Sequence, residues 1–499
     1  MNPLKKLASQ TAIYGLSTIV GRLLNYLLVP LLTYQFTDPR DFGVNTEFYA
    51  YISFLNVILT YGMETALFNF SVKEPDKNRV YSTALLSLLA TTLVFVAPVA
   101  IFAEPIAEAL RYPGHADYIL WVALIIALDA VAAIPFAKLR EQDRALRFAS
   151  IKIVNILVNI GLTVFFVGLC KSAFDNPASA WHGTLGGLYD PRIGIGYVFI
   201  ANAIANVVTA LLLLPEFFMV KWVFDFTLWR RMLRYGLPLL VVGLAGMVNE
   251  TLDRILLKYL LPPEQALEQV GIYGACYKIS ILMTIFIQAF RYAAEPFFFA
   301  RSVASDAKQT YALVMNYFVI TCAFIFLAVM MNIGWIQYFV GAPYRAGLDV
   351  VPILLLANLF LGVYFNLSIW YKLTGKTEYG AYLTLFGALI TLTLNWYWIP
   401  RIGYMGSAWA TLICYGSMAV LSYAIGRKHY PVDYDLKRVL TYPGLAIALY
   451  LLSTLIAPPS LAQSLVINNA LLIGFLIVAF AAERKKFRAA IGSTTGVKS

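Results

Sequence analysis

Residues 235–261 read YGLPLLVVGLAGMVNETLDRILLKYLL. The stretch is long and apolar enough to cross about 30 Å of hydrocarbon as a helix, yet it carries Glu250, Asp253, Arg254 and Lys258. A charge at mid-depth costs at least about 2.5–3.5 kcal/mol, so such side chains face protein or water, and that face is by default a functional interior. On a helix, positions 250, 254 and 258 stack four apart with 253 one step away, so the four share one face. Lys258, nearest the end of the stretch, is expected to snorkel towards the interface. A structural reading pairs Glu250 with Arg254 and Asp253 with Lys258 as ridges that only hold helices together.

Outward from this stretch the chain has the same character: 60% hydrophobic, 13% charged and mean hydropathy +0.71, against about 25% charged residues in a soluble domain. About 14 apolar runs of spanning length can be counted, over 11–34, 43–69, 80–102, 117–137, 148–170, 193–214, 235–261, 270–299, 311–331, 350–373, 379–399, 404–426, 439–457 and 464–482. The long second and eighth runs are candidates for a tilt or kink. The expected fold is all-α, a polytopic membrane protein.

Cytoplasmic loops retain Lys and Arg. With the N-terminus inside, the inner side collects most of the basic residues, among them Lys5, Lys6, Lys73, Lys77, Arg79, Lys138, Arg140, Arg144, Arg147, Lys221, Arg230, Arg231 and the tail Arg484, Lys485, Lys486 and Arg488. The outer side keeps Arg40, Arg111, Lys171, Arg192, Arg345 and Arg401. Both termini are therefore expected in the cytoplasm. The net charge of +11 then marks topology and contact with anionic lipid rather than nucleic acid. The first run is too long for a signal peptide and no A-x-A site follows it, so it reads as a retained helix.

Cys170, Cys276, Cys322 and Cys414 are scattered without CxxC spacing, and His115, His182 and His429 fall in loops far apart. Neither a disulfide framework nor a metal site is indicated. There is no phosphate-binding loop motif for ATP, and the longest loop, KSAFDNPASAWHGTLGGLYDPR at 171–192, is too short for a catalytic domain. No cofactor is expected beyond a coupling H+ or Na+, and the chain reads as a non-enzyme.

An internal repeat organises the chain. YGL recurs at 14–16 and 235–237, FGVNTEFYAYIS (42–53) aligns with VGIYGACYKIS (270–280), and DPRIGIGYVFIANAI (190–204) aligns with IPRIGYMGSAWATLI (399–413). Three matches in one order suggest parallel halves, which in transporters place the substrate site between them and rock about it. The expected division is 1–216 as an N-lobe, 217–430 as a C-lobe, and 431–499 as an appended helix pair with a basic tail.

TDPRDFGV (37–44), AYISFLNVILTYGMETALFNF (50–70), LDRILLKYL (252–260), AFRYAAEPFFFARS (289–302) and LNWYWIPRIGYMGSAWATLICYGSMAVL (394–421) together resemble the polysaccharide flippase (Wzx-type, O-antigen) branch of the multidrug, oligosaccharidyl-lipid and polysaccharide exporter superfamily. The resemblance runs over nearly the whole chain. It implies two pseudo-symmetric six-helix lobes around a central cavity. It also implies an undecaprenyl-pyrophosphate-linked oligosaccharide moved from inner to outer leaflet of a bacterial cytoplasmic membrane, in the service of lipopolysaccharide or other polysaccharide synthesis. The protein would act as a monomer among membrane lipids, beside polymerase and assembly proteins. Two other flippase or exporter classes, for a peptidoglycan precursor or for multidrug cations, share the superfamily. A membrane glycosyltransferase or polymerase is the remaining alternative.

The residues suit an anionic cargo. Arg22, with Asn25 and Tyr26 beside it, sits mid-way along the first run without an acid in that helix. Its counter-anion would be Glu64 or Asp253 at rest and pyrophosphate when loaded, since the guanidinium fork matches phosphate oxygens. Arg254, Lys278 and Arg291 complete the expected headgroup contacts, with Arg291 receiving, Arg22 holding, and Arg254 with Lys278 handing outward. Glu47, Asn56, Glu64, Glu250, Asp253, Gln288 and Glu295 are expected to line the cavity, couple an ion or gate it, and Glu295 precedes the hinge-forming Pro296. Glu64 either carries a coupling proton or pairs with Arg22. Asp129 and Lys152 read as an ion pair, and Tyr51, Tyr277 and Tyr292 as core aromatics able to meet sugar.

Overall fold

In a computed structural model, residue 15 and residues 19–218, 222–456 and 460–495 are described, with side chains to 484. Lys5, Lys6, Lys221 and most of the first YGL lie outside them, and the side chains of Lys485, Lys486 and Arg488 lie beyond the last one described. Among the described residues regular structure is helical throughout. The first span is helical over residues 19–26 and again over α1, Leu28–Gln35.

The principal helices that follow are α2 (Pro39–Thr60), α3 (Met63–Lys73), α4 (Lys77–Ile101), α5 (Ala116–Glu141), α6 (Ala145–Asp175), α7 (Gly196–Leu212), α8 (Phe226–Leu260), α9 (Pro263–Arg301), α10 (Ala307–Met331), α11 (Val350–Leu373), α12 (Glu378–Ile402), α13 (Tyr404–His429), α14 (Leu436–Ile456) and α15 (Leu461–Arg484). Among the described residues twelve spans are long and apolar enough to cross a membrane, α2 and α3 together forming one of them. They match twelve of the fourteen runs in the sequence; of the other two, α7 is a shorter apolar helix and the first run is only partly described.

The helix starts are written locally. Asp38 accepts a hydrogen bond from the Arg40 amide ahead of Pro39, Asp76 from the Asn78 and Arg79 amides, and Asp225 from the Leu228 amide. Each satisfies amides that the first turn leaves without intrahelical partners. The second span, one of the two candidates for a tilt or kink, is broken. Tyr61 and Gly62 both take positive φ, 30° and 73°, and α3 restarts from there. Gly62 packs backbone to backbone on Gly236 of α8, where a Cβ would stand 2.7 Å from the Gly236 carbonyl oxygen. A side chain fails there on both conformation and space. The eighth span, by contrast, runs 39 residues, about 58 Å at 1.5 Å per residue, through Pro296 without a break.

Compactness divides the chain into one unit of residues 1–278, 340–347 and 384–410 and another of 279–339, 348–383 and 411–499. These are interleaved in sequence and do not follow the halves suggested by the repeat. The core of the first unit includes Tyr61, Met63, Leu67, Leu85, Leu88, Ile134 and Met232. In the second, Ala294, Phe298, Tyr311 and Ile369 form a cluster. There the C-terminal helices are tied to their neighbours: Glu483 accepts from Arg438 at 2.6 Å and from the Tyr442 hydroxyl at 2.8 Å, and Asn469 exchanges hydrogen bonds with Asn332. All four cysteines are buried thiols. His429 is not a solvated loop residue: it ends α13 and stacks on Trp370 at 5.5 Å.

Candidate functional site

The charged face of α8 is used differently from either ridge pairing. Arg254 Nη1 meets Asp253 Oδ1 at 3.1 Å and donates to the Glu250 carbonyl, while the Tyr273 hydroxyl donates to Asp253 Oδ2 at 2.7 Å. The guanidinium lies over the Tyr277 ring at 4.3 Å. Lys258 does not snorkel. It is 2% exposed, pairs with the fully buried Glu47 at 2.8 Å, donates to the Leu110 carbonyl at 2.6 Å and sits over the Tyr112 ring at 3.6 Å. The Tyr112 hydroxyl donates to Glu47. The reason is reach: the partner on the neighbouring helix α2 lies closer than water does, and a buried ammonium needs one.

Arg22 pairs with neither Glu64 nor Asp253. Glu64 is taken by Arg140 and Asp253 by Arg254. Instead, Arg22, Arg254 and Glu250 all lie within electrostatic reach of the half-buried Lys278. Among the described residues no carboxylate lies within ion-pair distance of Arg22 or Lys278. Three of the four expected headgroup residues are thus gathered in one place from α8, α9 and the first span, with Asp253 and Glu250 as the accompanying acids. Asn25 accepts from Asn159 at 3.4 Å beside this group's first-span arginine.

Arg291 belongs to the other compact unit. Its guanidinium lies over Phe365 at 4.0 Å, and Glu295, one turn on, pairs with Lys372. Gln288 is half-buried on the same helix and Tyr292 is exposed. Tyr51 meets the Tyr259 hydroxyl at 3.0 Å.

Residues of α2, α3, α5, α6, α7 and α8 line an open cavity of about 590 Å³. Asn56, Glu64, Asp129, Arg140, Lys152, Asn155 and Asn206 line it. The expected Asp129–Lys152 ion pair is not formed. Asn206 Nδ2 donates to Asp129 Oδ1 at 3.0 Å, Asn155 Nδ2 donates to Asn206 Oδ1 at 3.0 Å and to Thr209 Oγ1 at 2.9 Å, and Lys152 lies over Phe136 at 4.2 Å. An amide relay thus holds the carboxylate, and a ring holds the amine. Asn155, Asn206 and Arg140 were not singled out in the sequence. The signal was there: Lys152 and Asn155, and Asn206 and Thr209, each recur three apart on otherwise apolar helices, which sets them on one face. Among the described residues no cluster of His, Cys, Asp and Glu is arranged to hold a metal ion.

The comparisons agree with this architecture. The profile of a family described as polysaccharide biosynthesis protein matches residues 7–302. The chain belongs to that family. No curated protein matches its sequence closely enough to count as a relative. Among solved structures, this family member is similar to a lipid II flippase, MurJ, in an inward closed conformation, with TM-score 0.69 and 14% identity, covering 95% of this chain and 99% of that one. It is similar to an inward-facing MATE family multidrug resistance transporter of the MOP superfamily, with TM-score 0.63 and 15% identity over 82% and 94% of the two chains. A third likeness is to the MATE multidrug transporter DinF-BH, with TM-score 0.58 and 18% identity over 86% and 97%. The fold is that of membrane transporters.

Proposed function

We propose that this protein flips an undecaprenyl-pyrophosphate-linked oligosaccharide from the inner to the outer leaflet of a bacterial cytoplasmic membrane, with both termini inside. The observation that carries the reading is that Arg22 and Arg254 both lie within electrostatic reach of Lys278 in a membrane-spanning bundle, accompanied among the described residues by Glu250 and Asp253. An excess of positive charge in such a place asks for an anion, and pyrophosphate oxygens fit guanidinium and ammonium donors. Family membership and the likeness to a lipid II flippase support a lipid-linked cargo. Sugar hydroxyls carried unsatisfied through hydrocarbon cost several kcal/mol each, and the amides of the 590 Å³ cavity offer them partners. A cationic drug finds less here. The cavity's two carboxylates, Glu64 and Asp129, share it with two cations, Arg140 and Lys152.

The coupling ion, H+ or Na+, needs a carboxylate free to release its charge. Glu47, Glu64, Asp253 and Glu295 are each held by a cation, which leaves Asp129 as the cavity carboxylate to assign to it. The test is depletion of the protein in its host, with the lipid-linked oligosaccharide quantified on each leaflet. Accumulation inside that Arg22→Ala, Arg254→Ala fails to relieve supports the reading; no accumulation, with new sensitivity to cationic dyes, overturns it in favour of drug export.

A further inference from the structure

A second cavity in the same compact unit, of about 350 Å³, is lined by Leu67, Ser71, Lys77, Asn78, Tyr81, Lys138, Glu141 and Gln142. That volume falls in the range of small-ligand pockets. It lies where α3, α4 and α5 reach their predicted cytoplasmic ends, and it shares no lining residue with the 590 Å³ cavity.

Lys138 is its decisive feature. The side chain is 7% exposed, and its ammonium rests over the Tyr81 ring at 4.1 Å. Among the described residues it makes neither an ion pair nor a side-chain hydrogen bond. The carboxylates within its electrostatic reach, Glu216 and Glu141, are engaged elsewhere. Glu216 is held by Arg144 at 3.3 Å and Arg147 at 2.8 Å, and Glu141 by Lys77 at 2.7 Å. A largely buried lysine whose ammonium meets only a ring face and the cavity leaves that cavity as the place for its counter-charge, because a charge taken out of water is retained when it is paired and hydrogen-bonded. The side chains of Ser71, Asn78 and Gln142 line the same space, and among the described residues none has a side-chain partner.

We propose that this cavity binds a phosphate group, with Lys138 as its counter-charge and Ser71, Asn78 and Gln142 as neutral donors. With Lys77 and Glu141 neutralising each other in the lining, the one ammonium outside an ion pair and three neutral donors suit a phosphate's several acceptor oxygens and do not suit a cation. At a predicted inner membrane surface the phosphate comes either from an anionic phospholipid headgroup or from free phosphate in the cytosol. The site is independent of the proposed flipping reaction.

The test uses the full chain in detergent, titrated separately with phosphatidylglycerol, phosphatidylcholine and inorganic phosphate, with binding read by native mass spectrometry. Lys138→Met is compared with wild type and with Lys428→Met, which removes an exposed lysine. Loss of one charge-assisted contact corresponds to about a tenfold weaker affinity. A loss of that size for phosphatidylglycerol in Lys138→Met, absent in Lys428→Met, supports the site and names a lipid headgroup as its source. The same loss for inorganic phosphate alone supports it with free phosphate as the source. Unchanged affinity for both probes overturns it. Should Lys138→Met fail to fold, Ser71→Ala, Gln142→Ala is the second variant: a severalfold weakening supports the proposal and no change overturns it.

Discussion

Glu47 and Lys258 meet at 2.8 Å between α2 and α8 with 0% and 2% of their side chains exposed. Such a pair contributes little net stability against an apolar replacement of the same size, yet breaking it strands a charge, at about 3–5 kcal/mol. Glu47→Gln and Lys258→Met should therefore each lower the unfolding temperature strongly. The double variant Glu47→Leu, Lys258→Met should recover most of the loss. Thermal unfolding of the wild type, Glu47→Leu, Lys258→Met and the double variant in detergent forms a double-mutant cycle that checks this, and additive losses would show that the pair is not coupled.

The contact of Gly62 with Gly236 makes a steric prediction with its own control. A Cβ at Gly236 would stand 2.7 Å from the Tyr61 carbonyl oxygen, whereas one at Gly246, on the same helix, meets nothing within 4 Å. Gly236→Ala should destabilise by about 1–3 kcal/mol through overpacking. Gly246→Ala should stabilise by about 0.5–1 kcal/mol, the helical preference for alanine. Denaturant midpoints of the two variants should move in opposite directions.

Asp129 depends on Asn206 for its hydrogen bond. Asn206→Leu removes that donor and breaks the relay to Asn155, a loss of about 1–3 kcal/mol for a stranded buried acceptor. If Asp129 carries the coupling proton, Asp129→Asn should abolish the dependence of flipping on an imposed pH gradient while leaving substrate binding in place. Leaflet assays with and without the gradient separate the two effects.

Asp225 caps α8 from outside the membrane. Its hydrogen bond from the Leu228 amide, with Arg79 beside it, holds the carboxyl below the usual aspartate range. A carboxyl whose pKa is lower folded than unfolded adds stability that is complete above its ordinary pKa and disappears as pH falls through the folded value. Asp225→Asn keeps a capping oxygen and removes the titration. The wild type should thus lose more stability than Asp225→Asn on acidification below about pH 4. Parallel melting curves between neutral and acid pH give the comparison.

Much of the fold was legible because the bilayer imposes length and composition on each helix. Twelve runs predicted from apolarity coincide with spans, and the break at Tyr61–Gly62 fell in a span long enough to need one. Partner choice was less legible. Helical spacing brought Arg254, Glu250 and Lys258 to one face, but Lys258 found Glu47 and Glu64 found Arg140, both on other helices. A spacing rule sees only neighbours three and four apart, and charges in a bundle are settled by the helix packed opposite. Asn155 and Asn206 were passed over for a related reason. An uncharged amide in an apolar run draws no attention until another amide is seen across from it.

The four buried thiols have a practical consequence. A maleimide in water reacts with an accessible thiolate, and Cys170, Cys276, Cys322 and Cys414 present none of their surface to it. Towards that reagent the unaltered chain behaves as a cysteine-free background. A single cysteine introduced at Asn56, Ser71 or Gln142 should label at a rate set by its own cavity's opening. Repeating the labelling with the reagent confined to one side of the membrane would give each cavity a side.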